Sequence, residues 1–167
     1  MWSPSRLFAG LGLLVLAGCG YHFPGGGALP AGMERIRLAV EPENTELAQA
    51  LEDRLAQDPK VTLVTGGERA DGRLTVTGGE PQSRSAAIGP EGVATEYEVV
   101  LDADYRLVKA KGSEQVLRSA QGLTVTRTYP YRPDGSPVEA EQNQRRAARE
   151  AAGALAQRIL QSAKSGF

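Results

Sequence analysis

The stretch that decides the fold is residues 95–110, TEYEVVLDADYRLVKA. Apolar and charged side chains alternate along it, which is the period of a β-strand with one buried face. The apolar set is Tyr97, Val99, Leu101, Ala103, Tyr105 and Leu107. The interleaved set is Glu96, Glu98, Asp102, Asp104 and Arg106, and Val100 is the one exception. The pattern predicts one long strand in a sheet that is covered on one side only.

The acidic row of this strand could be a pair of catalytic carboxylates or a calcium site. Both kinds of site need oxygen ligands that converge from loops or from facing elements. A regular row along one strand does not converge, so we interpret the row as a solvent-exposed face.

Shorter elements precede the long strand. Asn44 is a good N-cap, and Leu47, Leu51 and Leu55 recur every four residues, which predicts a helix of about three turns with one apolar stripe. Runs rich in β-branched residues, or alternating in polarity, predict three short strands at 36–40, 61–64 and 73–77. The polar stretch 82–92 carries no periodic signal and is left unassigned.

After the long strand, a turn at 111–113 leads into a predicted return strand over 115–131. Its inward set is interrupted in the middle, and a bulge near Gly122 would restore part of the register. Pro130 cannot donate a ladder hydrogen bond and should end the pairing. Tyr129 and Tyr131 are either core residues or exposed partner contacts, and we favour burial.

The last element is a helix with a capping box, formed by Ser136, Pro137 at the first position and Glu139. It is predicted to run to about Lys164, with a stripe of small and apolar side chains. The stripe is Ala148, Ala151, Leu155, Ile159 and Ser162, with Ala152 beside it. The elements together predict an α+β two-layer sandwich, in which two helices pack on one face of a mixed, four- to five-stranded sheet.

Composition limits the possible functions of these 167 residues. Nineteen basic and 20 acidic side chains give a formal charge of -1, and aromatic residues are 5% of the chain. A nucleic-acid protein would need a basic surface and usually stacking aromatics. One cysteine and one histidine exclude an internal disulfide framework and a Cys/His zinc cluster. No Ser/His/Asp or paired-acid constellation is visible, so we expect no enzymatic activity.

The single cysteine, Cys19, follows the most apolar segment of the chain. Residues 7–16 form an apolar run whose helical length, about 15 Å, is half of a membrane core, so it is typical of a signal peptide. The sequence Leu16-Ala17-Gly18-Cys19 resembles the bacterial lipobox. That resemblance implies cleavage after residue 18 and attachment of diacylglycerol and an N-acyl chain to Cys19, with no other cofactor.

Residues 19–33 are rich in glycine and proline and are predicted to be a flexible tether, followed by a folded domain over 34–167. His22 lies in the tether without a second ligand, and we interpret it as a surface residue. Similar lipoproteins are retained in the inner membrane when aspartate follows the cysteine. Gly20 follows here, which implies the outer membrane.

Several short motifs resemble the LPS-assembly lipoproteins of the LptE family, also called rare lipoprotein B. They are Cys19-Gly20-Tyr21-His22-Phe23, Leu29-Pro30, Thr95-Glu96-Tyr97, Arg127-Thr128-Tyr129 and the closing Ala/Gln/Ile/Leu-rich helix. The resemblance implies two helices on a mixed, mostly four-stranded sheet. It also implies a lipoprotein that plugs the outer-membrane barrel LptD, helps it assemble, and binds lipopolysaccharide in transit to the outer leaflet.

Phosphates of lipopolysaccharide favour arginine contacts through bidentate hydrogen bonds. The candidates are Arg84, Arg145, Arg146 and Arg149. Plain charge pairing on an exposed helix is the simpler interpretation of the last three. Family members often carry a basic residue just before the long strand, where this chain has Gly89-Pro90-Glu91.

A structural or adaptor lipoprotein of another envelope machine, such as a secretion pilot protein, is the alternative function.

Overall fold

The computed structural model describes residues 28–110 and 115–165. The predicted signal peptide, the lipid-attachment residue Cys19, His22 and the turn at 111–113 lie outside the described residues. Six strands and two helices follow one another along the described chain. They are β1 (Arg35–Glu41), α1 (Thr45–Ala56), β2 (Thr62–Leu63), β3 (Gly72–Gly78), β4 (Gln82–Ile88), β5 (Ala94–Lys109), β6 (Val116–Pro130) and α2 (Pro137–Ser165).

The strands form one mixed sheet. β1 runs parallel to both β2 and β3, whereas β5 is antiparallel to β3, β4 and β6. Both helices pack on the same face of this sheet and share one hydrophobic core with it. The predicted α+β class is therefore confirmed, and the long strand at 95–110 begins and ends within one residue of its predicted bounds.

Strand β4 is the one strand that the sequence analysis does not predict. It lies within the polar stretch 82–92, which carries no periodic signal. β3 pairs with residues 103–109 of β5 and β4 pairs with residues 94–100, so the two lie end to end along one edge of β5. Nearly every residue of β4 is exposed, so the apolar alternation that reveals the other strands is missing. Gly78 and Gly79, at φ +100° and +85°, separate the two strands. A Cβ on Gly78 would come within 2.6 Å of the Asp102 carbonyl oxygen.

The core lies between the sheet and the two helices. Leu47, Leu51 and Leu55 are fully buried on α1, as their spacing predicts. The buried face of α2 contains Ala147, Ala151, Ala152, Leu155, Ala156, Ile159, Leu160 and Ala163. Five of these are alanines, so the helix can lie close to its neighbours. Two members of the predicted stripe, Ala148 and Ser162, are half-buried at its margin.

The bulge predicted in the return strand is present. Gly122 has φ +66° and donates its backbone N–H to Asp104 Oδ1 at 2.8 Å. The pairing passes from Ala103 opposite Leu123 to Tyr105 opposite Ala120, so one extra residue of β6 is accommodated there. The shift places Ala120, rather than Ser119 or Gln121, beside the core.

The last part of the predicted tether packs against the domain. Met33 is only 3% exposed and belongs to the core, and Leu29 packs against it. The space for Met33 comes from Gly72, because a side chain at that position would collide with the Met33 sulfur. The chain thus becomes part of the folded body several residues before β1.

Candidate functional site

The face of the sheet opposite the helices is a broad polar surface, which we call the outer face. Its side chains belong to five strands, β1, β3, β4, β5 and β6, and are mostly hydroxyl-bearing or charged. They include Arg37 of β1, Arg73, Thr75 and Thr77 of β3, Glu96, Glu98, Asp102, Asp104 and Arg106 of β5, and Thr124, Thr126 and Thr128 of β6. No helix within residues 28–110 and 115–165 packs on this face. A groove of about 460 Å³ crosses it, between Thr75, Asp104, Arg106 and Ser119.

The acidic row of β5 lies on this outer face, as the alternation predicts. Asp104 accepts the Gly122 hydrogen bond, and Glu98 pairs with Arg84. In the described part of the chain, no three Asp, Glu, His or Cys side chains come together in a group that could hold a metal ion. Asp104 and Glu98 thus take part in local contacts, and the acidic row supplies the negative charges of a face that also carries Arg37, Arg73 and Arg106.

Arg84 lies on the outer face. It stands opposite Glu98 in the β4–β5 ladder and its Nε donates to Glu98 Oε1, with 69% of the arginine side chain exposed. The residue before it points the other way, because Ser83 Oγ accepts a hydrogen bond from Gln144 Nε2 of α2 at 3.0 Å. The sheet therefore separates Arg84 from the α2 arginines.

The other three candidate arginines, the α2 cluster, lie together on the exposed side of α2. Arg145 Nη2 donates to Glu141 Oε1 at 2.5 Å, and Arg146 Nη2 donates to Asn143 Oδ1 at 2.9 Å. Arg149 is exposed one turn beyond Arg145. Exposed pairs of this kind contribute only about 0–1 kcal/mol, so a stronger anion could displace them. The structure thus divides the four predicted contacts into one residue and a cluster of three.

Three tyrosines form a cluster that the sequence only partly indicates. Tyr97 stacks on Tyr129 with ring centroids 5.9 Å apart, and Tyr131 meets Tyr97 edge-on at 5.1 Å. Tyr129 is 6% exposed, whereas Tyr97 and Tyr131 are half-buried and line a groove of about 370 Å³ beside the start of α2. Burial was the right expectation for Tyr129. The groove itself could not be foreseen, because Arg132 and α2 complete it only after the chain has folded back.

One ion pair joins the far end of α2 to the connection between α1 and β2. Lys164 Nζ donates to Asp58 Oδ2 at 2.8 Å, and the backbone N–H of Lys60 donates to Asp58 Oδ1 at 3.1 Å. The lysine hydrogen bond, followed by the backbone one, holds the pKa of Asp58 below its ordinary value of 3.8. Asp58 thus connects the end of α2 to the segment between α1 and β2.

Among the described helices, none carries an apolar stretch long enough to cross a membrane.

Comparisons with known proteins agree on one family. The family model described as LptE, lipopolysaccharide-assembly, matches residues 33–163. The LPS-assembly lipoprotein LptE of Photorhabdus laumondii is 26% identical over 113 residues, which are 68% of this chain and 62% of that protein. The protein of the same name from Yersinia pestis is 30% identical over 96 residues, 57% of this chain and 46% of that protein. The chain therefore spans less than two thirds of either relative.

Solved structures show the same architecture. Lipoprotein B from Nitrosomonas europaea superposes with a TM-score of 0.62 at 18% identity, covering 84% of this chain and 92% of that one. Rare lipoprotein B from Shewanella oneidensis gives a TM-score of 0.61 at 20% identity, covering 80% and 96%. At these identities the likeness shows the fold alone.

Proposed function

Because the chain belongs to the LptE lipopolysaccharide-assembly family, we propose that it is an outer-membrane lipoprotein that plugs an LptD-type β-barrel. In this role it assists assembly of the barrel and binds lipopolysaccharide during its transport to the outer leaflet. The observation that carries the proposal is the uncovered outer face. Lumens of large outer-membrane barrels are polar, and a plug needs a rigid body with a polar surface.

The composition of the outer face is compatible with a polar barrel lumen. It carries both signs of charge, with Asp104 and Arg106 two positions apart on the same face of β5 and Arg84 paired with Glu98, so no single-sign field opposes insertion. Threonines fill positions between the charges and offer donors and acceptors to polar lumen side chains. The two-layer core behind the face gives it rigidity, since β5 is bonded to neighbouring strands on both edges.

Cys19 is the proposed anchor. A diacylglycerol thioether and an N-acyl chain such as palmitate would give it at least two buried chains, which suffice for stable membrane attachment. Gly20 in the next position supports the outer membrane as the destination. Residues 28–34 lie beside the Asp58–Pro59 loop, where α2 ends, so the tether would leave the body at that end.

The α2 cluster is the proposed contact for lipopolysaccharide phosphates. Arg145, Arg146 and Arg149 are exposed within about one turn of α2, and Arg145 and Arg146 make only weak surface pairs, so their donors can turn to a phosphate group. Arg84 is already neutralised by Glu98 on the opposite side of the sheet. We therefore assign Arg84 a secondary part, in which it belongs to the barrel-facing surface.

Affinity purification tests the proposal. The tagged full chain, isolated from detergent-solubilised outer membranes, should recover a β-barrel of LptD type. A Cys19→Ala chain is the control for the anchor, because it should fold but leave the membrane fraction. Recovery of no barrel from intact membranes would refute the plug role. Depletion gives a second readout: loss of surface lipopolysaccharide supports the proposal, whereas a secretion defect alone would point to an adaptor of a secretion machine.

A further inference from the structure

Within the part of the chain that the structure describes, one edge of strand β6 is not paired with another strand. The other edge pairs with β5 along its length. The ladder shows which backbone groups face outward. The Asp102 carbonyl accepts the Gly79 N–H at 2.7 Å on the β3 side, so Asp102 faces away from β6. Its ladder partner Thr124 must then face away from β5, toward the free edge.

The next outward residues follow from the two-residue period of the strand. Thr126 stands opposite Val100 and Thr128 opposite Glu98, so their N–H and C=O groups point to the same free edge as those of Thr124. Pro130 is the next outward residue and has no N–H to offer. On the other side, the bulge at Gly122 interrupts the edge. The usable edge is therefore short, and it is bounded at both ends.

Two arginines donate hydrogen bonds to backbone carbonyls that point outward from this short edge. Arg158 Nη1 of α2 donates to the Thr124 carbonyl at 2.9 Å, and Arg127 Nη1 donates to the Thr126 carbonyl at 2.9 Å. Arg158 lies 34 residues from Thr124 in the chain and reaches it from the helix layer. Both side chains are exposed, so neither bond is needed to satisfy a buried group.

An uncapped edge of this sequence would fit a second copy of itself. Antiparallel pairing centred on Thr126 sets Thr124 of one copy opposite Thr128 of the other and Leu123 opposite Tyr129. No like charges face each other in that register, and the three threonines form cross-strand pairs on one face. Each copy would contribute the carbonyls of Thr124, Thr126 and Thr128, and the arginines hold two of these three.

We infer that Arg127 and Arg158 guard the β6 edge against antiparallel pairing with β6 of a second copy. Exposed edges are ready templates for strand addition, and natural sheets block them with charges, prolines and bulges. All three features occur along residues 122–130 of β6. The bulge lies at Gly122, the proline is Pro130, and the two guanidinium groups bind carbonyls between them. The inference does not depend on the proposed barrel or lipopolysaccharide roles.

Sedimentation of the purified full chain in neutral detergent tests the guard. The variant Arg127→Gln/Arg158→Gln removes both positive charges and replaces each guanidinium with a shorter amide, so it should show a weight-average mass that rises with concentration toward twice that of the wild-type monomer. Arg69→Gln/Arg106→Gln carries the same charge change away from the edge and should remain monomeric. Adding Thr126→Pro to the first variant removes the central outward N–H and should restore the monomer.

Three outcomes would contradict the inference that Arg127 and Arg158 prevent pairing at the β6 edge. The first is a folded Arg127→Gln/Arg158→Gln variant that stays monomeric at every concentration. The second is a dimer that persists with Thr126→Pro, since that association would not use the edge. The third is a wild-type chain that already dimerises and is made monomeric by Thr126→Pro. If the double variant does not give the wild-type far-ultraviolet spectrum, the single variants Arg127→Gln and Arg158→Gln must each increase self-association; two monomers would refute the inference.

Discussion

At the scale of single residues, Asn44 connects two segments that are distant in the chain. Its Oδ1 accepts the Leu47 N–H at 3.0 Å and so caps α1, as the sequence predicts. Its Nδ2 also donates to the Gly79 carbonyl at 2.5 Å, at the break between β3 and β4. Asn44 and Gly79 are both buried. The side-chain amide of Asn44 thus connects the start of α1 to the turn between β3 and β4.

Substitution at Asn44 separates these two roles. Asn44→Ser keeps a cap but is too short to reach Gly79, so it should lower the free energy of unfolding by about 1 kcal/mol. Asn44→Ala removes both bonds and should cost about 2–3 kcal/mol. Urea denaturation of the two variants beside wild type measures both steps. Equal stability of Asn44→Ser and wild type would show that the Gly79 bond contributes nothing.

At the scale of elements, sequence periodicity predicts those strands and helices that bury one face in the core. β5, α1 and α2 each bury one face, so their sequences carry a period of two or of about four, and their observed bounds agree. β4 buries almost nothing and its sequence QSRSAAI has no such period, so only the pairing with β5 makes it a strand. The Arg158 contact with Thr124 has no sequence signal at all, because tertiary packing alone brings α2 beside β6.

The candidate site shows the same limit. The sequence and its family resemblance point to the α2 cluster and Arg84 as candidate phosphate contacts, and all four side chains are exposed. It could not show that they lie on different layers, because the face on which β4 presents Arg84 depends on its register with β5. The tyrosine groove likewise depends on the return of α2 to the end of β6.

The connection between α2 and the α1–β2 loop should make stability depend on pH. The pKa of Asp58 is lowered in the folded protein, so the Asp58–Lys164 pair stabilises the fold above the ordinary carboxyl pKa. That contribution should disappear as the pH falls from about 4 through the lowered value, because protonated Asp58 no longer attracts Lys164. Lys164→Met should therefore lose up to about 1 kcal/mol at neutral pH and little in strong acid.

Urea denaturation of Lys164→Met and wild type at neutral pH and in steps down to about pH 2 measures this difference. Lys109→Met, at an exposed lysine of β5, is the matched control and should follow wild type at every pH. A Lys164→Met deficit of the same size at every pH would mean that the methylenes of Lys164, and not its charge, stabilise this end of α2.

At the scale of the whole molecule, the domain has two unlike faces and two unlike ends. The outer face is open and polar, whereas the other face of the sheet is covered by the helices, and the α2 cluster lies on the far side of them. Along the 16 residues of β5, about 50 Å, residues 28–33 and the Asp58–Lys164 pair mark one end. The tyrosine groove lies near the other. In the proposed function, the sheet layer would contact the barrel wall and the helix layer would contact the lipid phosphate.

The division between layers gives a prediction for lipopolysaccharide. Replacing Arg145, Arg146 and Arg149 by alanine should weaken binding of purified lipopolysaccharide about tenfold, roughly 1.4 kcal/mol, with little change in Tm. Arg84→Ala should have a smaller effect. A triple alanine variant at Arg54, Arg69 and Arg106 has the same charge change and should bind as wild type does. Unchanged binding by the α2 variant would leave that cluster as an ordinary solvated helix face.

Crosslinking from the outer face in living cells tests the central claim most directly. A photoreactive amino acid in place of Thr75, at the centre of the outer face, should give an adduct with an outer-membrane β-barrel of LptD type. The same amino acid at Gln57, after the end of α1 and off the outer face, serves as the positional comparison and should give less of that adduct. The plug account predicts the barrel adduct from Thr75 in cells that retain the protein in the outer membrane. Adducts from Thr75 with other envelope proteins alone, and none with a barrel, would contradict it.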